Sequence, residues 1–269
     1  LTNLIVAVYE NVRSLIIGKM YQPATLAFFD RGKALPNLMM SNVSSSINTV
    51  LLPTFAEEQD NKDRVQQMMA RAIKVSYLFV APLMIGFFIT AEEVVVLLLT
   101  EKWLPCVPFI RIFCIAYLLM PIQNINMTAI QSLGKSQVTL KLEIIKKVLE
   151  AIILVVSFSI NVYAVAWGIV VYNMICIFIN LYPLGKFVNY GVLAQIKDLI
   201  PTLLVSLTMG LAVYLIGFIF NSALLKLIMQ IFFGGLLYYC LCLLFKIDSL
   251  QYIKDYVKGI LSGNKSSGK

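Results

Sequence analysis

Residues 162–184 read VYAVAWGIVVYNMICIFINLYPL, with no charged side chain anywhere in the stretch. As one α-helix rising about 1.5 Å per residue, it is long enough to cross the roughly 30 Å hydrocarbon core of a bilayer. Working outward, Leu142–Ile160, Leu104–Leu133 and Val75–Ala91 precede it with the same character, and Leu199–Phe220 and Ser222–Phe245 follow it. Two weaker stretches complete the set of eight expected spans. Leu1–Tyr21 carries Glu10 and Arg13 near its middle, and Leu35–Ala56 is rich in Ser and Asn.

Composition agrees with this parse. The chain has 269 residues, of which 59% are hydrophobic and only 13% charged, and its mean hydropathy of +0.84 excludes a soluble domain around one buried core. The expected fold is an all-α integral membrane bundle of about eight transmembrane helices. A six-helix lobe is expected over 1–185, two final transmembrane helices over 198–245, and a cytoplasmic tail over 246–269. In that tail Ile247, Leu250, Ile253, Val257 and Ile260 recur at helical spacing, which predicts an amphipathic helix lying on the membrane surface.

Basic residues orient the bundle, because short cytoplasmic loops collect Lys and Arg. Eight spans put both ends on one side, and that side receives fifteen basic residues, from Lys62, Arg64, Arg71 and Lys74 through Lys135, Lys141, Lys146, Lys147, Lys186 and Lys197 to the tail. The other side holds six: Lys19, Arg31, Lys33, Lys102, Arg111 and Lys226. Both ends are therefore expected in the cytoplasm. The net charge of +8 is then a property of loops facing anionic lipid. No basic segment interleaved with aromatics suggests a nucleic-acid partner.

Chemistry is equally constrained. Histidine is absent, which removes the commonest general base and metal ligand. The five cysteines, Cys106, Cys114, Cys176, Cys240 and Cys242, lie in or beside apolar spans, and Cys240 and Cys242 point to different faces of one helix. Glu57/Glu58 and Glu92/Glu93 sit at span ends, where they are expected to face headgroups and water. No catalytic residue, cofactor or metal is expected. Leu1 opens directly into a span with no basic region or cleavage site before it, so it does not read as a signal peptide, and further sequence is expected upstream.

Polar side chains within spans are costly in hydrocarbon unless they meet a partner or water. Glu10 and Arg13 are i,i+3 neighbours, and Arg13 is the best placed contact for an anionic ligand. In the second span Asn37, Ser41, Ser44 and Asn48 form one continuous stripe, the pattern of a helix lining a watery cavity. Asn124, Thr128 and Gln131 repeat it after Pro121. Asn173 and Asn180, seven apart, read rather as hydrogen-bonding contacts between helices. Pro82, Pro121 and Pro201 bend their spans, as fixed kinks or as hinges.

Four segments carry a family resemblance: LIIGKMYQPATLAFFDRGKALPNL (15–38), VLLPTFAEEQDNKDRV (50–65), APLMIGFFITAEEVVVLLLTEKWLPCVPFIRIF (81–113) and AIQSLGKSQVTLKLEIIKK (129–147). In order and spacing, Gly18-Lys19, Pro53, Lys102-Trp103 and Gly134-Lys135 resemble the polysaccharide and O-antigen flippases of the multidrug/oligosaccharidyl-lipid/polysaccharide exporter superfamily. The subgroup it most resembles is that of teichuronic-acid and colanic-acid exporters. The match covers roughly 1–150. It departs at Ala27-Phe28-Phe29, where Gly-Tyr-Tyr is usual, and at Thr100-Glu101, where a glycine-containing turn is common.

The resemblance implies a fourteen-helix transporter of two six-helix lobes and a final pair, with this chain as helices seven to fourteen. It implies flipping of an undecaprenyl-pyrophosphate-linked oligosaccharide across the bacterial cytoplasmic membrane, with the glycan held between the lobes. The partners it implies are that lipid-linked oligosaccharide, membrane lipids, the N-terminal lobe, and the polymerase and glycosyltransferases of polysaccharide synthesis. Two other functions stay open: a cation-coupled drug exporter, for which Glu10 is the coupling carboxylate, and a membrane-embedded sugar-processing enzyme, for which no external loop is long enough.

Overall fold

The computed structural model describes residues 18–19, 21–58, 61–134, 136–188 and 190–261. Within its helices, the side chains of 42–50, 52–53, 56, 136, 186–187, 255–257 and 259–261 fall outside that description. The expected first span, with Glu10 and Arg13, also lies outside the described residues apart from its end.

All the described regular structure is helical. The first helix, α1 (Pro23–Glu57), starts where Pro23 presets a helical φ behind an extended Gln22. It absorbs residues 23–34, which the hydropathy pattern assigns to a loop. The reason is tertiary: Phe29 is buried, with its ring 5.7 Å from Phe109 and 5.4 Å from Phe113 in edge-on contact. Gly32 lets the helices close up there, since a Cβ at that position would lie 2.4 Å from the Phe109 Cβ.

Helix α2 (Lys62–Leu99) is capped by the Asn61 side chain, which accepts the Arg64 N–H at 3.1 Å. Its 38 residues span about 57 Å, well beyond the hydrocarbon core. The polar stretch from Lys62 and the next span are thus one continuous rod. Pro82 lies inside it. Having no N–H, Pro82 leaves the carbonyl four residues earlier, that of Leu78, without its helical partner.

Thr100 ends α2 at φ 81 and ψ 164, a region that strongly favours glycine. Here the departure from the family's glycine turn has a visible cost. The single expected span Leu104–Leu133 is in fact interrupted. A 3-10 turn (Glu101–Cys106) leads into α3 (Val107–Leu118), and α4 (Met120–Ser132) follows after Leu119. Pro105, Pro108 and Pro121 impose these steps by withholding backbone donors. Gly134, at φ 69, closes α4 in the left-handed conformation usual at a helix end.

Four helices complete the chain: α5 (Ser136–Phe158), α6 (Val162–Phe187), α7 (Val192–Ile216) and α8 (Ala223–Leu244), with α9 (Asp248–Leu261) as the tail. Helix α7 begins at Val192, ahead of the expected Leu199. It packs along α2, with Gly210 against Ile85 and Ile89, and α8 packs on α7 through Gly234 against Val213. Two apolar cores result. One joins α1, α2, α3 and α6 around Phe29, Met84 and Phe113; the other joins α1, α2, α4, α6 and α7 around Phe55, Tyr77 and Ile125.

Among the described residues, five helical stretches are long and apolar enough to cross a membrane: Lys62–Leu99, Glu101–Ser132, Val162–Gly185, Val192–Ile216 and Ala223–Leu244. Helices α1 and α5 are not among them, although the hydropathy pattern placed spans on both. Helix α5 instead matches its charges internally, Lys146 with Glu143 and Lys147 with Glu150.

Candidate functional site

The break between α3 and α4 exposes backbone carbonyls that a continuous helix would satisfy. Other helices supply the donors. The Tyr77 hydroxyl of α2 donates to the Leu118 carbonyl at 2.6 Å, and the Asn173 amide of α6 donates to the Ala116 carbonyl at 3.2 Å. Gln123 on α4 returns the contact, donating to the Asn173 carbonyl at 3.2 Å. Asn173 is thus the interhelical contact its spacing suggested. Asn180, buried about two turns further along α6, has neither amide atom hydrogen-bonded.

Beside the break lies a cavity of about 430 Å³ between α1, α3, α5 and α6. Its polar lining comprises Lys33, Asn37, Glu150, Tyr172 and Asn173. Lys33 and Glu150 give the wall both signs of charge. Such a surface suits a hydrophilic, hydrogen-bonding guest better than an apolar one.

Of the residues expected to line a watery passage, Asn37 is in this cavity and is exposed. Ser41 is also exposed on α1, its hydroxyl turned back to the Leu38 carbonyl at 3.2 Å. Ser44 and Asn48 lie on the same helix outside the described side chains, and Glu10 and Arg13 outside the described residues. The α4 set does not join this cavity. Thr128 is buried, with its hydroxyl on the Asn124 carbonyl at 2.8 Å, Asn124 is half-buried, and Gln131 is exposed elsewhere.

A second, larger space of about 670 Å³ runs between α2, α7 and α8. Pro82, Leu83, Gly86, Phe87, Met209 and Ile231 make it apolar. The Leu78 carbonyl orphaned by Pro82 is satisfied here by the Tyr238 hydroxyl of α8 at 2.7 Å.

One expectation needs correction. Glu92 is exposed, but Glu93 is buried and forms an ion pair with Lys226 of α8, leaving its second oxygen without a partner. Consecutive residues on a helix point about 100° apart, so two adjacent acids cannot share one environment. Sequence reasoning also passed over Asn126 and Gln195, both buried, which exchange hydrogen bonds at 3.1 and 3.0 Å between α4 and α7. On α7, Gln195, Asp198, Thr202 and Ser206 in fact recur at i, i+3, i+7 and i+11, a polar row that marks Gln195, whereas Asn126 stands among Ile122, Ile125 and Ala129 with no such signal.

Comparison with known proteins returns the family that the sequence resembles. Residues 1–108 match the polysaccharide biosynthesis protein family. The chain is 19% identical over 211 residues to the teichuronic acid biosynthesis protein TuaB of Bacillus subtilis, covering 76% of this chain and 42% of that one. It is 27% identical over 106 residues to a membrane protein in the cps region of Klebsiella pneumoniae, covering 39% of this chain and 22% of the relative. With the lipopolysaccharide biosynthesis protein WzxC of Escherichia coli it shares 19% identity over 136 residues, 51% of this chain and 28% of the other. The chain thus spans less than half the length of each of these relatives. The fold resembles that of the lipid II flippase MurJ in its inward closed conformation, with a TM-score of 0.71 at 16% identity over 86% of this chain and 49% of that one. The protein is a multi-pass membrane protein with bacterial relatives.

Proposed function

We propose that the complete protein flips undecaprenyl-pyrophosphate-linked oligosaccharide units from the inner to the outer leaflet of a bacterial cytoplasmic membrane, for surface polysaccharide export. In this reading the chain is the second lobe and final helix pair, with both ends in the cytoplasm. Its partners are the first lobe, the surrounding lipids, and the polymerase and glycosyltransferases that use and make the substrate. The observation that carries the reading is the pair of unlike surfaces on one lobe, a polar cavity of about 430 Å³ and an apolar trough of about 670 Å³. An amphiphile with a sugar head and a long isoprenoid tail requires both, because neither end is stable in the other's surroundings.

Within this scheme the exposed Asn37 and Ser41 of α1, with Ser44 and Asn48 beyond them, face the head of the substrate, and Arg13 meets its pyrophosphate with Glu10 alongside. Asn124, Thr128 and Gln131 lie outside the described cavity and are second in line. The test is flipping by the complete protein in vesicles, scored by access of the lipid-linked sugar to an external glycosidase. Arg13→Ala and Asn37→Leu are expected to slow flipping at least several-fold while insertion into the membrane is unchanged. Wild-type rates in both variants would remove these residues from the passage.

A further inference from the structure

The lysine-rich side of the chain carries a second polar cavity, of about 560 Å³, where α2, α7 and α9 meet. Its charged lining is Lys74, Lys197, Lys246, Asp198 and Asp248. Both aspartates are engaged: Lys74 Nζ lies 3.1 Å from Asp198 and 3.6 Å from Asp248. Asp198 also accepts the Tyr190 hydroxyl at 2.6 Å. Burial, and then the hydrogen bond to Asp198, push the Tyr190 phenol far above its ordinary range, so it stays a donor to that carboxylate. Lys197 and Lys246 are exposed, and neither has an ion-pair partner among the described residues.

The backbone at Lys246 is unusual. It stands at φ 48, just past the end of α8, in a turn where the Ile247 N–H reaches the Cys242 carbonyl at 3.0 Å. This is the helix-terminating position that glycine fills without strain. A lysine held there in the left-handed conformation puts a strained residue at the mouth of a cavity, a combination that the turn itself does not require.

What lies next to the cavity distinguishes its ligand. On α7 the lining residues Ala194, Lys197 and Pro201 run beside an outward apolar row, Leu193, Ile196, Ile200 and Leu204, whose exposures are 83%, 47%, 46% and 59%. Phe245, also in the lining, is 64% exposed. Two unpaired cations above a lipid-facing apolar wall match a phosphate above acyl chains.

We propose that this cavity binds the phosphate headgroup of an anionic phospholipid from the leaflet on the lysine-rich side, through Lys197 and Lys246, and that the bound lipid pins α9 onto α2. Without it, the described polar contacts holding α9 to α2 are the Asp248–Lys74 pair and the Arg71 guanidinium 4.8 Å from the Tyr252 ring centre. Both are of the kind that solvent weakens. The site is independent of what the protein transports.

The test uses the complete protein in micelles doped with either phosphatidylglycerol or phosphatidylcholine of the same chain length. Native mass spectrometry reads retained lipid, and trypsin cleavage at Lys254 reads the docking of α9. Phosphatidylglycerol is expected to be retained in preference and to slow cleavage. The Lys197→Gln, Lys246→Gly double variant is expected to lose about thirtyfold in retention. Because Lys246→Gly relieves the backbone, that single variant should weaken retention while its melting temperature holds or rises, which separates lost binding from misfolding. Slowed cleavage with inorganic phosphate alone would support the phosphate site and assign it a soluble source. Equal retention of the two lipids, or wild-type retention by the double variant, would overturn the proposal.

Discussion

Replacing Tyr238 with Phe leaves the ring in place and removes the hydroxyl that repairs the kink at Pro82, together with its contacts to Cys242 and Ser206. In the wild type the hydroxyl sits 2.7 Å from the Leu78 carbonyl, and Leu78 is only 4% exposed. Water cannot easily replace the lost donor. A buried unsatisfied carbonyl costs about 1–3 kcal/mol, and side-chain hydrogen bonds measured within membrane bundles lie near the lower end, so the expected loss is about 1–2 kcal/mol. The decisive control is Pro82→Ala, which restores an N–H at position 82 for the Leu78 carbonyl. In that background Tyr238→Phe should cost about 1 kcal/mol less than in the wild type. The four variants can be compared by denaturation in mixed micelles followed by tryptophan fluorescence. Equal losses in both backgrounds would refute the idea that Tyr238 substitutes for the bond Pro82 removes.

Two further outcomes follow from backbone strain and buried charge. Thr100→Gly should raise stability by about 1 kcal/mol, the relief of an unfavourable φ less the greater freedom of glycine in the unfolded chain, and an unchanged or lower melting temperature would contradict the backbone geometry at the end of α2. In the Glu93–Lys226 pair the side chains are 8% and 28% exposed, so Lys226→Met, which strands the more buried charge, should cost about 3 kcal/mol and more than Glu93→Gln. The same denaturation assay ranks them, and the reverse order would place the carboxylate in water.

Long uncharged stretches such as 162–184 reveal their helices in the sequence because length and composition alone decide them. A helix in the tail was equally legible, and the described Leu250 and Ile253 of α9 pack against Leu78 and Cys242. The interruption at Leu119 was marked only by Pro121, since hydropathy runs unbroken through it. Residues 23–34 became helix through Phe29 packing on α3, a long-range contact that no local pattern records. Of the residues expected to line a watery passage, Asn37 stands in the polar cavity. Lys33 and Glu150 were missed because their partners on the cavity wall come from helices distant in sequence. Lys246 looked like an ordinary flanking lysine, and its left-handed backbone is visible only in three dimensions.

The reciprocal amide pair of Asn126 and Gln195 constrains how the molecule can move. Each side chain is both donor and acceptor to the other, so a slide of α7 past α4 by one residue, about 1.5 Å, would break both bonds at once and leave two amides unsatisfied in a dry seam. That seam behaves as a keyed joint. The connection before α7 is therefore not a mechanical boundary, because α7 is keyed to α4 through this pair.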